Sequence, residues 1–155
     1  MPLVPAPALA FFADLSVQVA APQEIGNTPA GRRRVIPITG GEVRGDGWRA
    51  RVLPGGADFQ LIVGDTMAQL DARYVLETDG GDLVFVQNRA LRVASREVTA
   101  KLMRGEPVDP GEVYFRCVPS FETAAPSLAW INERLFVGTG VRHPDRVEIS
   151  VFALG

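Results

Sequence analysis

Acidic and basic residues that could move protons recur along this sequence. Asp58 and Glu122 are candidate general bases, since a carboxylate in an apolar cavity has a raised pKa and can exchange protons near neutral pH. Arg73 and Arg116 are candidates for holding a developing oxyanion, because a guanidinium group donates paired hydrogen bonds to carboxylate or enolate oxygens. These groups fit proton transfer next to a carbonyl group, as in an isomerase, a lyase or a cyclase without a cofactor.

Ligand binding is the other chemistry that the sequence supports. Tyr74 and Trp130 could stack on a flat ligand and shape its pocket. Asn132 could orient the ligand through its amide group, and Asp71 stands two residues from Arg73, where it could join the same site. The same groups also fit passive binding of a small organic acid. A non-catalytic small-molecule binding barrel and an oligomeric structural or interaction protein therefore stay open as alternatives to an enzyme.

The stretch 113–136 contains two apolar runs with polar groups at alternate positions. Successive side chains of an extended strand point to opposite faces, so alternate residues of the first run share a face. One face would carry Tyr114, Arg116, Val118, Ser120 and Glu122, and the other Phe115, Cys117 and Pro119. Trp130 and Asn132 form a second alternating set, on a strand predicted over 127–132. A solvated face does not need tyrosine, arginine and tryptophan at these spacings, so the sequence predicts one wall of a cavity here.

Each candidate also has a structural interpretation. Residues of opposite charge on one strand face can be interior ion pairs that fix strand register. The two pairs are Asp71 with Arg73 and Arg116 with Glu122. Asp58 follows Pro54-Gly55-Gly56 and can cap that turn. Tyr74 and Trp130 can be core residues, and Asn132 can bond the backbone of a turn.

Metal and nucleophilic chemistry find little support in the sequence. His143 is the single histidine and lies in a proline-containing turn, and Cys117 is the single cysteine and lies in an apolar run. A zinc site needs several such ligands, and a Ser–His–Asp triad would have to use His143. We expect Cys117 to be a buried, inert thiol. The sequence predicts neither a metal site nor a cofactor.

Composition limits the partners of this chain. The 155 residues carry a formal net charge of -2, which argues against a nucleic-acid binder. No segment approaches the ~18 apolar residues that span a bilayer, so no membrane partner is expected. A single cysteine allows no intrachain disulfide, which favours a reducing, cytoplasmic location. Strands with apolar residues on both faces need cover outside the barrel, so we expect a homodimer that binds a small molecule.

Short alternating runs separated by turn signals dominate the chain. The clearest turn signals are Gly45-Asp46-Gly47, Asp79-Gly80-Gly81-Asp82 and His143-Pro144-Asp145. A helix is predicted over 95–105 with Ser95 as its cap, and Gly40-Gly41 either ends a strand or bends it where a backbone must approach something closely. The pattern predicts an all-β protein. It would be a single antiparallel barrel of roughly eight to ten strands with one minor helix, one domain over residues 1–155.

Six short motifs occur in a fixed order along the chain. They are Gly31-Arg32-Arg33 with Gly40-Gly41, Pro54-Gly55-Gly56-Ala57-Asp58, Leu70-Asp71-Ala72-Arg73-Tyr74, Tyr114-Phe115-Arg116, Phe121-Glu122-Thr123 and Trp130-Ile131-Asn132. Together they resemble the domain-of-unknown-function 3237 family of small bacterial and fungal proteins, over nearly the whole chain. The resemblance implies a single antiparallel β-barrel, in agreement with the strand pattern. It implies no reaction, because the family has no general activity to transfer.

Overall fold

A computed structural model describes all 155 residues as ten β-strands, one α-helix and two 3₁₀ segments. The strands are β1 (Leu9–Val19), β2 (Gln23–Thr28), β3 (Gly31–Gly45), β4 (Arg49–Val52), β5 (Ala57–Val63), β6 (Met67–Thr78), β7 (Leu83–Val93), β8 (Tyr114–Thr123), β9 (Phe136–Arg142) and β10 (Arg146–Leu154). Helix α1 (Arg96–Met103) lies between β7 and β8. The 3₁₀ segments are Pro110–Glu112 and Pro126–Glu133.

The strands form a closed antiparallel barrel. Around it, β1 is followed by β10, β9, β8, β7 and β6, after which β4 and β5 share one position next to β3. Closure is completed where β3 pairs with β1, and β2 pairs with the first half of β3. The predicted all-β barrel is therefore confirmed. About eight strand positions leave an interior that side chains can just fill, which is where a site can form.

Alternation along each strand separates the barrel interior from its outer surface. In β6, Leu70, Tyr74 and Leu76 point inward and are buried, whereas Asp71 and Arg73 point outward. Inward apolar residues from most of the strands join in one core cluster of 18 buried residues. Burial of apolar surface of this kind is the main stabilising contribution to a barrel of this size.

Gly40-Gly41, predicted to end or bend a strand, lies inside β3, where β3 crosses closely over β1. Gly41 has φ of 142°, and a Cβ atom placed there would lie 2.1 Å from the carbonyl oxygen of Ser16. Only glycine fits so close to a neighbouring backbone. The close approach lets β3 continue from its pairing with β2 to its pairing with β1.

The two ends of the barrel are closed differently. One end, here the aromatic end, is filled by packed rings, which belong to Phe12, Trp48, Phe121, Trp130 and Phe136. The other end, the helix end, is covered by α1, in which Val98 and Leu102 are buried. The predicted cap is present, since the Ser95 hydroxyl accepts a hydrogen bond from the Val98 N–H at 3.1 Å. Arg34 reaches α1 from β3 and donates to the Met103 carbonyl at 3.4 Å.

The strand predicted over 127–132 is wrong, because these residues lie within the 3₁₀ segment Pro126–Glu133. Pro126 starts the segment at a position where its missing N–H is not needed. Ile131 is the buried residue of the segment and anchors it to the core. A compact turn with one apolar anchor therefore replaces the strand that the alternation of Trp130 and Asn132 had indicated. None of the helical segments in the fold combines the length and the apolar content that a bilayer crossing requires.

Candidate active site in the barrel interior

Polar side chains line one cavity inside the barrel, between the aromatic core and α1. The cavity has a volume of about 40 Å³. Its polar residues are Asp58 and Gln60 on β5, Tyr74 on β6, Asn88 and Arg92 on β7, and Arg142 on β9. Apolar side chains complete the wall, among them Ile36, Leu70, Phe115 and Ile149. Four strands thus contribute polar groups to a space that small barrels normally fill with apolar side chains.

Strand register places these residues at successive depths. Asp58 and Asn88 lie in one cross-strand row, with Ala72 of β6 between them. Counting only the inward-pointing residues from this row, Gln60 is one residue nearer the helix end. Arg92 is two such residues nearer that end. Tyr74 stands one position nearer the aromatic end than that row. Each step of two residues is about 7 Å, so cations lie near the helix end and hydrogen-bond acceptors lie deeper.

Each of the six polar residues has a buried atom without a hydrogen-bond partner in the protein. The atoms are Asp58 Oδ1, Gln60 Oε1, Tyr74 OH, Asn88 Oδ1, Arg92 Nη2 and Arg142 Nη1. All the unpaired buried side-chain atoms of the chain therefore face the same cavity. An unpaired buried polar group costs about 1–3 kcal/mol, so six of them in one place indicate a surface built to contact something other than protein.

The cations of the cavity lack counter-ions. Neither Arg92 nor Arg142 has a carboxylate at ion-pair distance. By contrast, the nearby buried Arg34, which does not line the cavity, pairs with Glu24 at 2.9 Å. Burial, reinforced by the charge of Arg142 and opposed by that of Asp58, lowers the pKa of Arg92 to about 10. Burial likewise lowers the pKa of Arg142. Both guanidinium groups still carry their charge at neutral pH, and the cavity favours an anion.

Asp58 is a carboxyl group whose proton is held unusually tightly. Burial raises the pKa of Asp58, while the hydrogen bond from Gln60 and the charge of Arg92 oppose this shift without cancelling it. Gln60 Nε2 donates to Asp58 Oδ2 at 2.9 Å, which fixes the carboxyl group and leaves Oδ1 facing the cavity. Burial also raises the pKa of Tyr74, so its hydroxyl stays protonated. The site therefore holds one carboxyl group that binds its proton more tightly than an exposed aspartate does, with one oxygen turned toward the cavity.

Two of the residues selected from the sequence, Asp58 and Tyr74, meet in this interior. Asp71 and Arg73 form a pair of 3.1 Å on the outer face of β6, where both are partly exposed. Their pairing is that of a surface ion pair and does not reach the cavity. The inward row of β6 runs through Ala72 and Tyr74 instead, because side chains of a strand alternate.

Arg116 and Glu122 share one face of β8, as the spacing predicts, but that face points outward. Both side chains are exposed and they do not pair with each other; Arg116 lies over the ring of Tyr114 at 5.2 Å. The inward face carries Phe115, Cys117 and Pro119. The cavity wall on β8 is thus made by the alternate set of residues.

Trp130 and Asn132 lie at the aromatic end, away from the cavity. Trp130 packs edge-on against Phe12 with ring centroids 5.5 Å apart, and it remains partly exposed. Asn132 accepts a hydrogen bond from the Thr123 N–H at 2.9 Å and donates to the carbonyl oxygens of Thr123 and Ala129. Trp130 therefore holds the 3₁₀ segment against β1, and Asn132 holds it against the end of β8. Cys117 faces the interior, where burial raises the pKa of its thiol to about 11, as expected for an inert thiol.

Four cavity residues were not identified from the sequence: Gln60, Asn88, Arg92 and Arg142. The usable signal was alternation on β7, where Asn88 and Arg92 have the same parity as Val84 and Val86. Polar residues on the apolar face of a strand are candidates for an interior site, because burying them is costly unless they have a function. The same reasoning selects Gln60, which shares the inward face of β5 with Ile62.

Comparison with known proteins places this barrel in a group of similar chains. A family model described as "Protein of unknown function (DUF3237)" matches residues 7–154. A UPF0311 protein of Rhodopseudomonas palustris is 50% identical over 126 residues, which are 81% of this chain and 82% of that protein. The crystal structure of a conserved R. palustris protein of unknown function superposes with a TM-score of 0.93 at 41% identity, covering 98% of this chain and 100% of the other.

Two further solved structures show how widely the fold is shared. A β-barrel-like protein from Acinetobacter baumannii superposes with a TM-score of 0.86 at 36% identity, covering 100% of both chains. An enzyme from Penicillium herquei superposes with a TM-score of 0.74 at 16% identity, covering 100% of this chain and 99% of the other. At that identity the likeness shows a common fold alone.

Proposed function

Because the chain belongs to the DUF3237 family of proteins of unknown function, we propose its activity from the interior site: a cofactor-free acid–base enzyme acting on a small carbonyl or carboxylate compound. Arg92 and Arg142 bind the anionic oxygen of the substrate, and Asp58 transfers the proton. Tyr74 donates or accepts a hydrogen bond at the deep end of the cavity. Proton transfer next to a carbonyl group, as in an isomerase, a lyase or a cyclase, is the reaction type.

One observation carries this proposal: six unpaired polar atoms and two arginines without counter-ions face one interior cavity. A structural role would require these groups to satisfy one another, since an unpaired buried charge destabilises the fold. Apart from the hydrogen bond from Gln60 to Asp58, they stand on four strands without bonding one another. Sites that keep unfavourable polar groups in place at the cost of stability are commonly sites of binding or catalysis.

The chemistry follows from the positions of the charges. In its ionised form Asp58 accepts a proton from a carbon atom next to a carbonyl group, and the electron pair of that C–H bond moves onto the carbonyl oxygen. The resulting enolate oxygen gains negative charge, which the guanidinium groups of Arg92 and Arg142 stabilise in an interior of low polarity. Asp58 then returns the proton to the same or a neighbouring atom. A protein of this fold is an enzyme in P. herquei, so the fold is compatible with catalysis.

A non-catalytic binding barrel is the second candidate, because Arg92 and Arg142 alone would retain an organic anion. The two candidates share the binding step and differ in the role of Asp58. An enzyme needs its proton exchange, whereas a binding protein needs only that the carboxyl group does not repel the ligand. The proposal is therefore tested first for binding and then for turnover.

Binding is tested by the thermal shift of the protein with a panel of small carboxylic acids and 1,3-dicarbonyl compounds. A ligand at about 100 times its dissociation constant stabilises the folded state by about 2.7 kcal/mol, which raises Tm by roughly 5–10 °C. We expect this shift in the wild type and its loss in Arg92→Met. The matched control is Arg89→Met, which removes an exposed arginine from the outer face of the same strand and should keep the shift.

Turnover is tested with any ligand that passes the first step. Exchange of its carbon-bound protons in D₂O, followed by NMR, reports proton transfer directly. Asp58→Asn should reduce the exchange rate at least about a hundredfold, as for loss of a general base. Asp71→Asn, which changes an outward carboxyl group on the neighbouring strand, should leave it unchanged. Binding without exchange would favour the non-catalytic barrel, and no binding by the wild type would count against the interior site altogether.

A further inference from the structure

The geometry points to the substrate class: we infer that the interior site takes a small hydroxy acid, with its carboxylate toward the helix end and a hydroxyl group deeper in the barrel. This inference rests on the proposed function. It goes further by distinguishing among acids that share a carbon skeleton and differ in one substituent.

Positive charges and amide groups occupy opposite ends of the cavity. Arg92 lies nearest α1, and Arg142 stands beside residues of the same end, including Leu102 of α1. Gln60 and Asn88 lie deeper, toward the aromatic end. An anionic oxygen is therefore bound at the helix end of the cavity, and the other end of the ligand meets amide groups.

The amide groups deeper in the cavity present hydrogen-bond acceptors to the ligand. Gln60 uses its Nε2 to donate to Asp58, so the atom left facing the cavity is its carbonyl oxygen Oε1. Asn88 likewise presents Oδ1. A carbonyl oxygen can only accept hydrogen bonds, so the ligand atom opposite these groups has to carry an O–H or N–H bond. A carboxylate with a plain hydrocarbon chain would leave both amide oxygens buried and unpaired.

The positive charge of the cavity excludes an amine as that donor. Arg92 and Arg142 give the cavity two positive charges without counter-ions, and the single carboxyl group, Asp58, has a raised pKa because it is buried. A ligand ammonium group would add a third positive charge to the same enclosed volume, where like charges repel strongly. A neutral hydroxyl group donates the same hydrogen bond without that repulsion, so a hydroxy acid is preferred over an amino acid.

The size of the cavity sets the scale of the ligand. A volume of about 40 Å³ is little more than the roughly 30 Å³ that one water molecule occupies in the liquid. At that size even a two- or three-carbon acid enters only if a lining side chain moves aside, and its carbon skeleton then lies against apolar walls such as Leu70 and Phe115. A compact acid would displace a half-buried side chain such as Arg142 as its carboxylate enters and pairs with it.

The experiment compares acids that differ only at one carbon atom. The probes are glycolate, acetate and glycine, and then lactate, propionate and alanine, with dissociation constants measured by calorimetry. In the wild type we expect each hydroxy acid to bind roughly three to ten times more tightly than its deoxy analogue, as for one buried hydrogen bond, and the amino acid to bind most weakly. Gln60→Met and Asn88→Leu should each reduce the preference for the hydroxyl group to less than about twofold.

Two variants and one control keep the outcomes distinct. Gln69→Met removes an exposed glutamine from the outer face of β6 and should retain the wild-type preference. If Gln60→Met does not fold, Asn88→Leu still tests the inference, because each variant removes a different amide oxygen from the cavity. If the wild type binds the hydroxy and deoxy acids equally, or binds the amino acid best, the hydroxy-acid inference is overturned while the anion site stands. If it binds none of the six acids while all variants remain folded, both the inference and the proposed function fail.

Discussion

Asp58 couples the stability of the barrel to pH, because its carboxyl group is buried without an ion-pair partner. Burial raises the pKa of Asp58 above the value of 3.8 that applies in the unfolded chain. Below pH 3.8 both states are protonated, and the contribution of this residue to stability is fully present. As the pH rises through the raised folded-state pKa, the unfolded state releases its proton more readily, and that contribution is lost.

We expect Asp58→Asn to melt at a higher temperature than the wild type at pH 7 and at the same temperature near pH 4. Asparagine keeps the acceptor for the Gln60 amide but never ionises, so the cost of a buried charge disappears. A gain of about 1 kcal/mol corresponds to an increase of roughly 2–4 °C in Tm for a domain of this size. Calorimetric melting curves from pH 4 to pH 8 measure the difference.

Asp71 is the matched control, because its pKa shifts in the opposite direction. Slight burial raises the pKa of Asp71, but hydrogen bonds from Arg73 and Gln87 outweigh this and lower it. Asp71→Asn should therefore lower Tm at pH 7, and this loss should vanish as the pH falls through the lowered pKa. If Asp58→Asn instead melts lower than the wild type at pH 7, Asp58 supports the fold and its proposed role is wrong.

The sequence predicts which residues share a strand face, but it does not predict which face points inward. On β8, tyrosine and arginine alternate with phenylalanine and cysteine, so both faces contain residues that would suit an interior. The inward set was decided by packing of Phe115 and Cys117 against neighbouring strands. On β7 the contrast is sharper, since Asn88 and Arg92 interrupt a face that otherwise carries small and aliphatic residues. Five of the six polar cavity residues were therefore within reach of the sequence, two as predicted candidates and three through alternation, whereas Arg142 required the register of the strands.

At the level of elements, local signals account for most of the fold. Period-two alternation and the turn at Asp79-Gly80-Gly81-Asp82 predict the β6–β7 hairpin, and Ser95 predicts the start of α1. Closure of the barrel does not follow from local signals, because it depends on pairing between β1 and β3 and between β1 and β10. The 3₁₀ segment Pro126–Glu133 escaped prediction since eight residues of mixed polarity look the same in a strand and in a tight turn.

Gly41 holds the crossing of β3 over β1, and replacing it should destabilise the whole barrel. A Cβ atom at this position would overlap the carbonyl oxygen of Ser16 at 2.1 Å, and φ of 142° is unfavourable for any other residue. We expect Gly41→Ala to reduce the free energy of unfolding by at least about 2 kcal/mol in urea titrations.

Gly40→Ala is the paired control for this prediction. Its Cβ atom would have Gln18 Oε1 as its nearest neighbour, at 3.5 Å, an ordinary contact with a flexible side chain. This variant should remain within about 1 kcal/mol of the wild type. Equal stability of the two variants would show that the crossing relaxes easily, and that closure of the barrel does not depend on close approach at Gly41.

The whole molecule presents an apolar outer surface that a monomer leaves uncovered. Phe59, Leu91, Tyr114 and Val118 are each more than 40% exposed, and all four line one open groove across β5, β7 and β8. Exposed apolar patches of this kind commonly mark contacts between proteins. We propose a second copy of this chain as the partner, on the charges of β8. Arg116 and Glu122 stand on the same outward face, six residues apart, and neither has an ion-pair partner within the chain.

We therefore expect a homodimer in which two β8 strands face each other in antiparallel orientation. A two-fold axis near Pro119 would place Arg116 of one copy opposite Glu122 of the partner subunit, and the reverse. Sedimentation velocity over a concentration series should show that Arg116→Glu weakens the dimer at least about tenfold, because like charges then meet twice. The double variant Arg116→Glu/Glu122→Arg restores opposite charges and should recover the dimer, whereas Arg44→Glu, on the outer face of β3, should not affect it. A monomeric wild type, or a double variant no better than the single one, would rule out this arrangement, because the pairing of reversed charges is its one specific requirement.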